Sequence, residues 1–148
     1  MKDNEMICPV CDEGLLSLST FSDVFKHNAG SVEVRDLECC VCDRCGADPV
    51  LTFQIARNQL KISDAKRRAL GFLSGEEIKA LRKRLGITQR EAAERFGGGP
   101  NSFSKYERGE VIQSESMDKL LRLMDEYLLL KQEVERLREH SPNPSMQH

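Results

Sequence analysis

The stretch from Thr88 to Gly109 reads TQREAAERFGGGPNSFSKYERG. It opens on a Thr-x-x-Glu pattern, in which the threonine hydroxyl caps a helix, and the three glycines at 97–99 then end that helix. Because proline is tolerated in the first turn of a helix, a second short helix is predicted from Pro100 to Arg108. Two short helices joined by a tight glycine turn are typical of a helix-turn-helix unit.

The second helix of such a unit enters the major groove of DNA. Phe103 and Tyr106 lie three residues apart and are predicted to face the core. The outward side chains at the front of the helix are then Asn101, Ser102 and Lys105. Asn can bond adenine, Lys can bond guanine, and Ser is a tolerant donor and acceptor. This helix is therefore predicted to read base edges.

The first helix of the unit begins with Gln89, where a side chain and backbone N–H groups can meet a DNA phosphate. Arg90 adds a positive charge beside it. For each basic side chain the alternative is simple solvation. The full set of predicted DNA contacts is Gln89, Arg90, Asn101, Ser102, Ser104 and Lys105.

Another capped helix is predicted before this unit. Ser74 and Glu77 form a Ser-x-x-Glu pattern, apolar residues follow on one helical face, and Gly86 ends the helix. Residues 53–73 are predicted to form a helical linker that ends in a basic tether. Glycines on either side of 72–74 favour a flexible hinge near Leu70 to Ser74.

Two Cys-x-x-Cys knuckles lie 30 residues apart in the first third of the chain. Four thiolates at tetrahedral corners satisfy Zn²⁺, and a two-residue gap lets both sulfurs of a pair reach one ion. The predicted ligands of a single structural zinc ion per chain are Cys8, Cys11, Cys42 and Cys45. Strand-like alternation over residues 15–21 and 31–37 predicts a hairpin between the knuckles, with Val32 and Val34 on one face.

Two further cysteines leave alternatives open. Cys39 and Cys42 have the same two-residue spacing as Cys42 and Cys45, although Gly46 favours the second pair because it supplies a permissive backbone. The spare thiols Cys39 and Cys40 are either small buried hydrophobes or redox-sensitive groups beside the metal. A thioredoxin-type dithiol is disfavoured because its βαβ context is missing.

The tail from Met117 to His140 carries a heptad pattern. A seam of apolar residues recurs at the first and fourth heptad positions, which predicts pairing of two subunits. The predicted seam consists of Leu120, Leu123, Tyr127, Leu130, Val134 and Leu137. A second apolar stripe beside it is formed by Leu121, Met124 and Leu128. The alternative is that only one stripe packs, on the helix-turn-helix core.

The charge is divided unevenly along the 148 residues. The formal net charge is −2, but residues 1–50 carry −6 and residues 57–108 carry +7. A concentrated basic stretch is the electrostatic footprint of a polyanion binder. No apolar run approaches the ~20 residues that span a bilayer, so no membrane partner is expected and the location is predicted to be cytoplasmic, where disulfides are rare.

Taken together, the knuckles and the segment from Ile87 to Gly109 resemble the MqsA (YgiT) antitoxin family, over about residues 6–130. In that family an N-terminal domain with two zinc knuckles precedes an Xre/Cro-type helix-turn-helix. The resemblance implies an antitoxin and autorepressor that binds a ribonuclease toxin of the MqsR type and, as a homodimer, a palindromic DNA operator. Carried over by motif, it implies zinc bound by the same four cysteines, and bases read by Asn101 and Lys105.

The sequence thus predicts an α+β protein. A small zinc-ribbon-like β domain occupies residues 1–52, and an all-α Xre/Cro-type helix-turn-helix domain with a long C-terminal helix occupies 74–140. The linker covers 53–73, and a disordered tail is expected over 141–148. The predicted function is zinc-stabilised, sequence-specific repression of transcription, without enzymatic activity. The alternatives are a solitary regulator without a toxin, or a protein-interaction module with dithiol redox sensing.

Overall fold

A computed structural model describes residues 5–141 of the chain. A two-stranded antiparallel sheet comes first and five helices follow, which confirms the predicted fold class. The strands are β1 (Leu16–His27) and β2 (Gly30–Cys42). The helices are α1 (Thr52–Leu70), α2 (Gly75–Arg84), α3 (Gln89–Phe96), α4 (Ser102–Glu107) and α5 (Glu115–Glu139). Within residues 5–141, no helix is long and apolar enough to cross a membrane.

Both strands of the hairpin run further than predicted. The pairing continues to His27 and Gly30 across a β-bulge, where the register shifts between Phe21 and Asp23 and Asp36 adopts a positive φ of 58°. A bulge interrupts the two-residue alternation of apolar and polar side chains, so the alternation does not predict the residues beyond it in either strand. Val34 is buried, as its position in the alternation predicted.

Helix α1 packs along the free edge of β2. The Glu38 backbone N–H donates to Asn58 Oδ1 at 2.8 Å, and Asn58 Nδ2 donates to the Glu38 carbonyl at 2.8 Å. The Asn58 side chain therefore satisfies the strand edge as a neighbouring strand would. At the start of the helix, Gln54 Oε1 accepts from the Leu51 backbone N–H at 2.9 Å and fixes where the helix begins.

The predicted basic tether is instead a continuous part of α1 that joins the helical domain. Arg67 is fully buried there, although arginine side chains are rarely buried completely unless they are paired. Its guanidinium donates to Asp64 Oδ1 at 2.8 Å, to Gln113 Oε1 at 2.9 Å, and to the carbonyls of Tyr106 and Val111 at 2.7 and 2.9 Å. These four acceptors make the burial of a guanidinium possible.

The residues expected to form a flexible hinge are held by hydrogen bonds. The Leu73 N–H donates to Asp118 Oδ1 at 2.8 Å, and Gln113 Nε2 donates to the Leu73 carbonyl at 2.8 Å. Arg122 donates to the Gly71 carbonyl at 2.6 Å. The expectation of a hinge rested on glycines alone, whereas the bonding partners lie about 45 residues downstream and leave no local signal.

The core of the helical domain lies between α2, α3, α4 and α5. Its most buried members are Ile78, Leu81, Ala92, Phe103 and Leu121. Both predicted N-caps are confirmed, because the Ser74 hydroxyl accepts from the Glu77 N–H and the Thr88 hydroxyl accepts from the Glu91 N–H. The expected disordered tail, apart from Ser141, lies outside the described residues.

The turn before α4 is longer than predicted. All three glycines at 97–99 have φ between +88° and +96°, and an added Cβ at Gly98 would lie 3.0 Å from Ser102 Cβ. Left-handed backbone and close packing together require glycine here. Helix α4 therefore begins at Ser102 and not at Pro100.

Candidate metal centre and nucleic-acid interface

Four cysteine thiols converge beside the base of the hairpin. The Sγ atoms of Cys8, Cys11, Cys42 and Cys45 all lie within 4.8 Å of one another. Cys8 Sγ lies 3.8 Å from Cys45 Sγ, and Cys11 Sγ lies 3.7 Å from Cys42 Sγ. Tetrahedral bonds of about 2.3 Å, as zinc makes to thiolates, require sulfurs about 3.8 Å apart. The site therefore has the dimensions of a closed metal centre.

Backbone N–H groups point at the sulfurs in both knuckles. Val10 N–H lies 3.4 Å from Cys8 Sγ, and Gly14 N–H lies 3.3 Å from Cys11 Sγ. At the second knuckle the N–H groups of Cys45 and Arg44 approach Cys42 Sγ and lower the pKa of that thiol to about 6. These donors favour the thiolate, which is the form that binds a metal.

The crowding of the sulfurs opposes the ionisation of all four. The Ala47 backbone lowers the pKa of Cys45, but desolvation and hydrogen bonds with the neighbouring thiols outweigh it and raise that pKa to about 12. Four thiolates at these distances repel one another unless a cation lies between them. The electrostatics of the donor set therefore match a divalent ion.

Gly14 closes the metal centre from one side. A Cβ at this position would lie 2.2 Å from Cys42 Sγ and 2.9 Å from Arg44 Cβ. The two spare thiols lie outside the cluster, since Cys39 and Cys40 are buried in the sheet. Cys40 accepts a 3.5 Å contact from Gln54 Nε2. The structure thus brings together Cys42 with Cys45, and leaves Cys39 and Cys40 in the role of small buried side chains.

The front of α4 presents polar side chains to solvent. Asn101 and Lys105 are exposed, and Ser104 is half-buried. Phe103 and Tyr106 face the core as predicted, and Phe103 anchors α4 to α3 through a tilted ring contact with Phe96, with centroids 5.9 Å apart. The exposed pair could therefore meet a groove without rearrangement of the helix.

Ser102 does not point outward, and this expectation is wrong. Its side chain is buried, and its hydroxyl donates to the Gly97 carbonyl at 3.3 Å. The left-handed glycine turn brings that carbonyl over the start of α4, so the hydroxyl fastens the turn to the helix. No local pattern predicts this burial, because the turn geometry depends on all three glycines.

The buried carboxylate of Glu107 connects α2, α3 and α4. Glu107 accepts from Arg82 Nε at 2.5 Å and from the Gln89 side-chain amide. Arg82 also donates to the Ile87 carbonyl at 3.1 Å. The side chain of Gln89, the first predicted phosphate contact, is thus oriented by the Glu107 carboxylate. Arg90 remains exposed, and its Nε lies 3.5 Å from Glu94 Oε1. Glu107 was not singled out in the sequence because one acidic residue in a basic stretch carries no pattern.

Helix α5 has two distinct apolar faces. Met117 and Leu121 are buried in the core, and Leu128 packs partly against it. The six predicted seam residues lie on another face and are between 39% and 67% exposed. The stripe that was predicted second, beside the seam, is therefore the one that packs on the helix-turn-helix core.

Comparisons with known proteins match this geometry. A family model described as the antitoxin component of a bacterial toxin-antitoxin system, MqsA, matches residues 6–135. The chain is 30% identical to Antitoxin MqsA of Escherichia coli (strain K12) over 132 residues, which are 87% of this chain and 99% of that protein. It is 38% identical over 71 residues to the HTH-type transcriptional regulator ImmR of Bacillus subtilis (strain 168), covering 44% of this chain and 54% of the regulator.

Proposed function

Because the chain belongs to the MqsA antitoxin family, we propose that it is a homodimeric, zinc-stabilised repressor that binds a palindromic operator and neutralises a ribonuclease toxin of the MqsR type. Family membership supports an antitoxin and DNA-binding role. The operator contacts, the metal, the dimer and the toxin are the finer parts of the proposal, and the proposed location is the cytoplasm.

The proposed metal is zinc in a structural role. Four thiolates are a common ligand set of structural zinc, and they leave no open coordination position for a reacting water. Cys8, Cys11, Cys42 and Cys45 would hold the ion, which would supply cross-linking of the two knuckles and no chemistry. The proposal includes no enzymatic activity.

The observation that carries the DNA-binding proposal is the exposure of Asn101 and Lys105 on a helix fixed by the buried Phe103. Amide and ammonium groups at the front of a recognition helix are suited to the donor and acceptor pattern of the major groove. Gln89 and Arg90 at the start of α3 would meet the phosphate backbone, as the N-terminal end of a helix favours anions.

We expect the double variant Asn101→Ala/Lys105→Ala to lose its preference for the operator. Each good base contact discriminates by about 1–3 kcal/mol, so the ratio of operator to random-sequence affinity should fall by roughly two orders of magnitude or more. Dissociation constants for the DNA upstream of its own gene and for a shuffled duplex, measured at one salt concentration, give this ratio.

The matched control is Lys26→Ala, which removes an exposed positive charge from the hairpin, far along the chain from α4. Zinc content and dimer mass should stay unchanged in both variants. Operator preference that survives the double substitution would refute the choice of α4 as the reading helix.

The toxin part of the proposal is supported by charge. Residues 1–50 carry a net charge of −6, and four thiolates on one divalent ion make the domain more acidic still. Such a surface favours a cationic partner. We expect a gene for a small basic ribonuclease beside this one, and its product should co-purify with the zinc-loaded chain. A neighbouring gene product that does not bind would leave a solitary regulator as the function.

A further inference from the structure

We propose that α5 pairs with α5 of a second copy as a parallel, in-register coiled coil, and that charged residues beside the seam fix this orientation. The inference rests on the proposed homodimer and adds its geometry. The exposed face of α5 is therefore covered by α5 of a second copy of this chain, and the two helices lie side by side and run in the same direction.

The face of α5 that carries the seam does not pack in the core of the helical domain. Leu123, Leu130 and Leu137 are 63%, 67% and 56% exposed, whereas Leu121 is 1% exposed on the core side of the same helix. The helix continues without a break to Glu139, well past the last core contact at Leu128. A strict seven-residue repeat winds slowly around a straight helix, so two such seams stay in contact through a left-handed supercoil.

Charged residues flank the seam in a sign-specific order. With Leu120, Tyr127 and Val134 at position a of the heptad, the g positions hold Glu126 and Glu133, and the e positions hold Lys131 and Arg138. Residues at e and g form the interhelical ion pairs that set orientation in coiled coils. Beyond Met124, each chain thus carries acids on one side of its seam and bases on the other, whereas Lys119, at the g position before Leu120, faces the partner's Met124.

Only one orientation pairs these charges favourably. In a parallel, in-register dimer, Glu126 faces the partner's Lys131, and Glu133 faces the partner's Arg138. In an antiparallel dimer that overlaps the whole seam, Glu126 would face the partner's Glu133, which places like charges together. Glu133 pairs with Arg136 within one helix at 2.5 Å, but this exposed pair is weak and can be exchanged.

The orientation has a consequence for DNA binding. A parallel pair places the two-fold axis along α5 and brings both C-terminal ends of the helices together. Helix α4 ends eight residues before α5 begins, so both recognition helices lie at the other end of the coil, on opposite sides of the axis. This is the symmetry that a palindromic operator requires.

The test reverses the charges in two steps. Sedimentation equilibrium of the zinc-loaded full chain measures the dimer dissociation constant. We expect Glu126→Lys/Glu133→Lys to raise it at least about tenfold, because four attractive contacts become repulsive. Adding Lys131→Glu and Arg138→Glu should restore it to within about threefold of the original value. The control Glu135→Lys/Glu139→Lys changes the same charge outside the seam and should leave it unchanged.

A cross-link reads the orientation directly. In the parallel register Leu137 faces the partner's Leu137, so Leu137→Cys should form a covalent dimer on mild oxidation while the unaltered chain does not. A dimer that neither cross-links nor responds to the double charge change would overturn the parallel arrangement and leave the homodimer standing. A chain that stays monomeric at micromolar concentration would overturn the homodimer itself.

Discussion

Replacing Cys42 by serine is expected to release the metal ion and unfold the hairpin domain while the helical domain stays folded. The buried apolar cluster of the hairpin domain consists of Cys8, Leu16, Cys40 and Cys42, so two of its four members are proposed metal ligands. Structural zinc contributes about 10–16 kcal/mol of apparent binding energy in zinc-finger peptides, and here little else could replace it. Without the ion, the main buried apolar side chains left in the hairpin are Leu16, Val34 and Leu37.

Zinc content by mass spectrometry under native conditions and far-ultraviolet circular dichroism give the two readouts. Gly14→Ala should produce the same loss without replacing any of the four cysteines, because its Cβ would lie 2.2 Å from Cys42 Sγ and would displace that sulfur. Gly46→Ala is the matched control. No atom lies within 4 Å of its added Cβ, so this variant adds only the backbone strain of a positive φ of 72° and no clash with a sulfur. Retention of one zinc ion per chain by Cys42→Ser would contradict the assignment of the ligands.

Arg67→Ala is expected to reduce the free energy of unfolding of the helical domain by about 3–5 kcal/mol, as does breaking other buried charge networks. The substitution removes the guanidinium donor from Asp64, from Gln113 and from two carbonyls. Asp64 keeps the Gly75 N–H and Tyr106 keeps the Gly109 N–H, so the Gln113 and Val111 oxygens lose most. Buried acceptors that lose a donor retain their full desolvation cost. Part of the lost stability should come from weaker packing between α1 and the loop that joins α4 to α5.

Urea unfolding followed by circular dichroism measures the change, and zinc content should remain at one ion per chain. Arg68→Ala is the matched control, since the neighbouring side chain is exposed and its removal should cost less than about 0.5 kcal/mol. Arg67→Lys should recover only part of the loss, because an ammonium cannot reproduce the fork that reaches four acceptor groups. A stability unchanged by Arg67→Ala would mean that the domains do not depend on this contact.

Features with a local cause could be predicted from the sequence. The helix caps at Ser74 and Thr88 depend on residues three positions apart. Each cysteine knuckle depends on a spacing of two residues between its cysteines, which can be read directly from the sequence. The inward positions of Phe103 and Tyr106 follow from helical periodicity alone. In each case the pattern that allows the prediction lies within a few residues along the chain.

Features with distant partners could not be predicted. The run of Lys66, Arg67 and Arg68 has the composition of a solvated helix. Its buried member, Arg67, depends on Gln113 and on the carbonyls of Tyr106 and Val111, which lie about 40 residues or more further along the chain. Ser102 is buried because three left-handed glycines bring a carbonyl to it. Burial of a polar group is decided by partners that meet only in the folded chain.

The Asn58 side chain on the edge of β2 also limits how this protein can misassemble. A hairpin normally offers two edges on which further strands can be added, and repeated addition produces fibres. Here the β2 edge is occupied by Asn58 and by the Pro49 and Ala47 carbonyls, which accept from the Cys40 and Cys42 N–H groups. In the described chain the other edge, along residues 17–27, pairs with no third strand. Strand addition to native hairpins is therefore blocked along the part of β2 from Glu38 to Cys42.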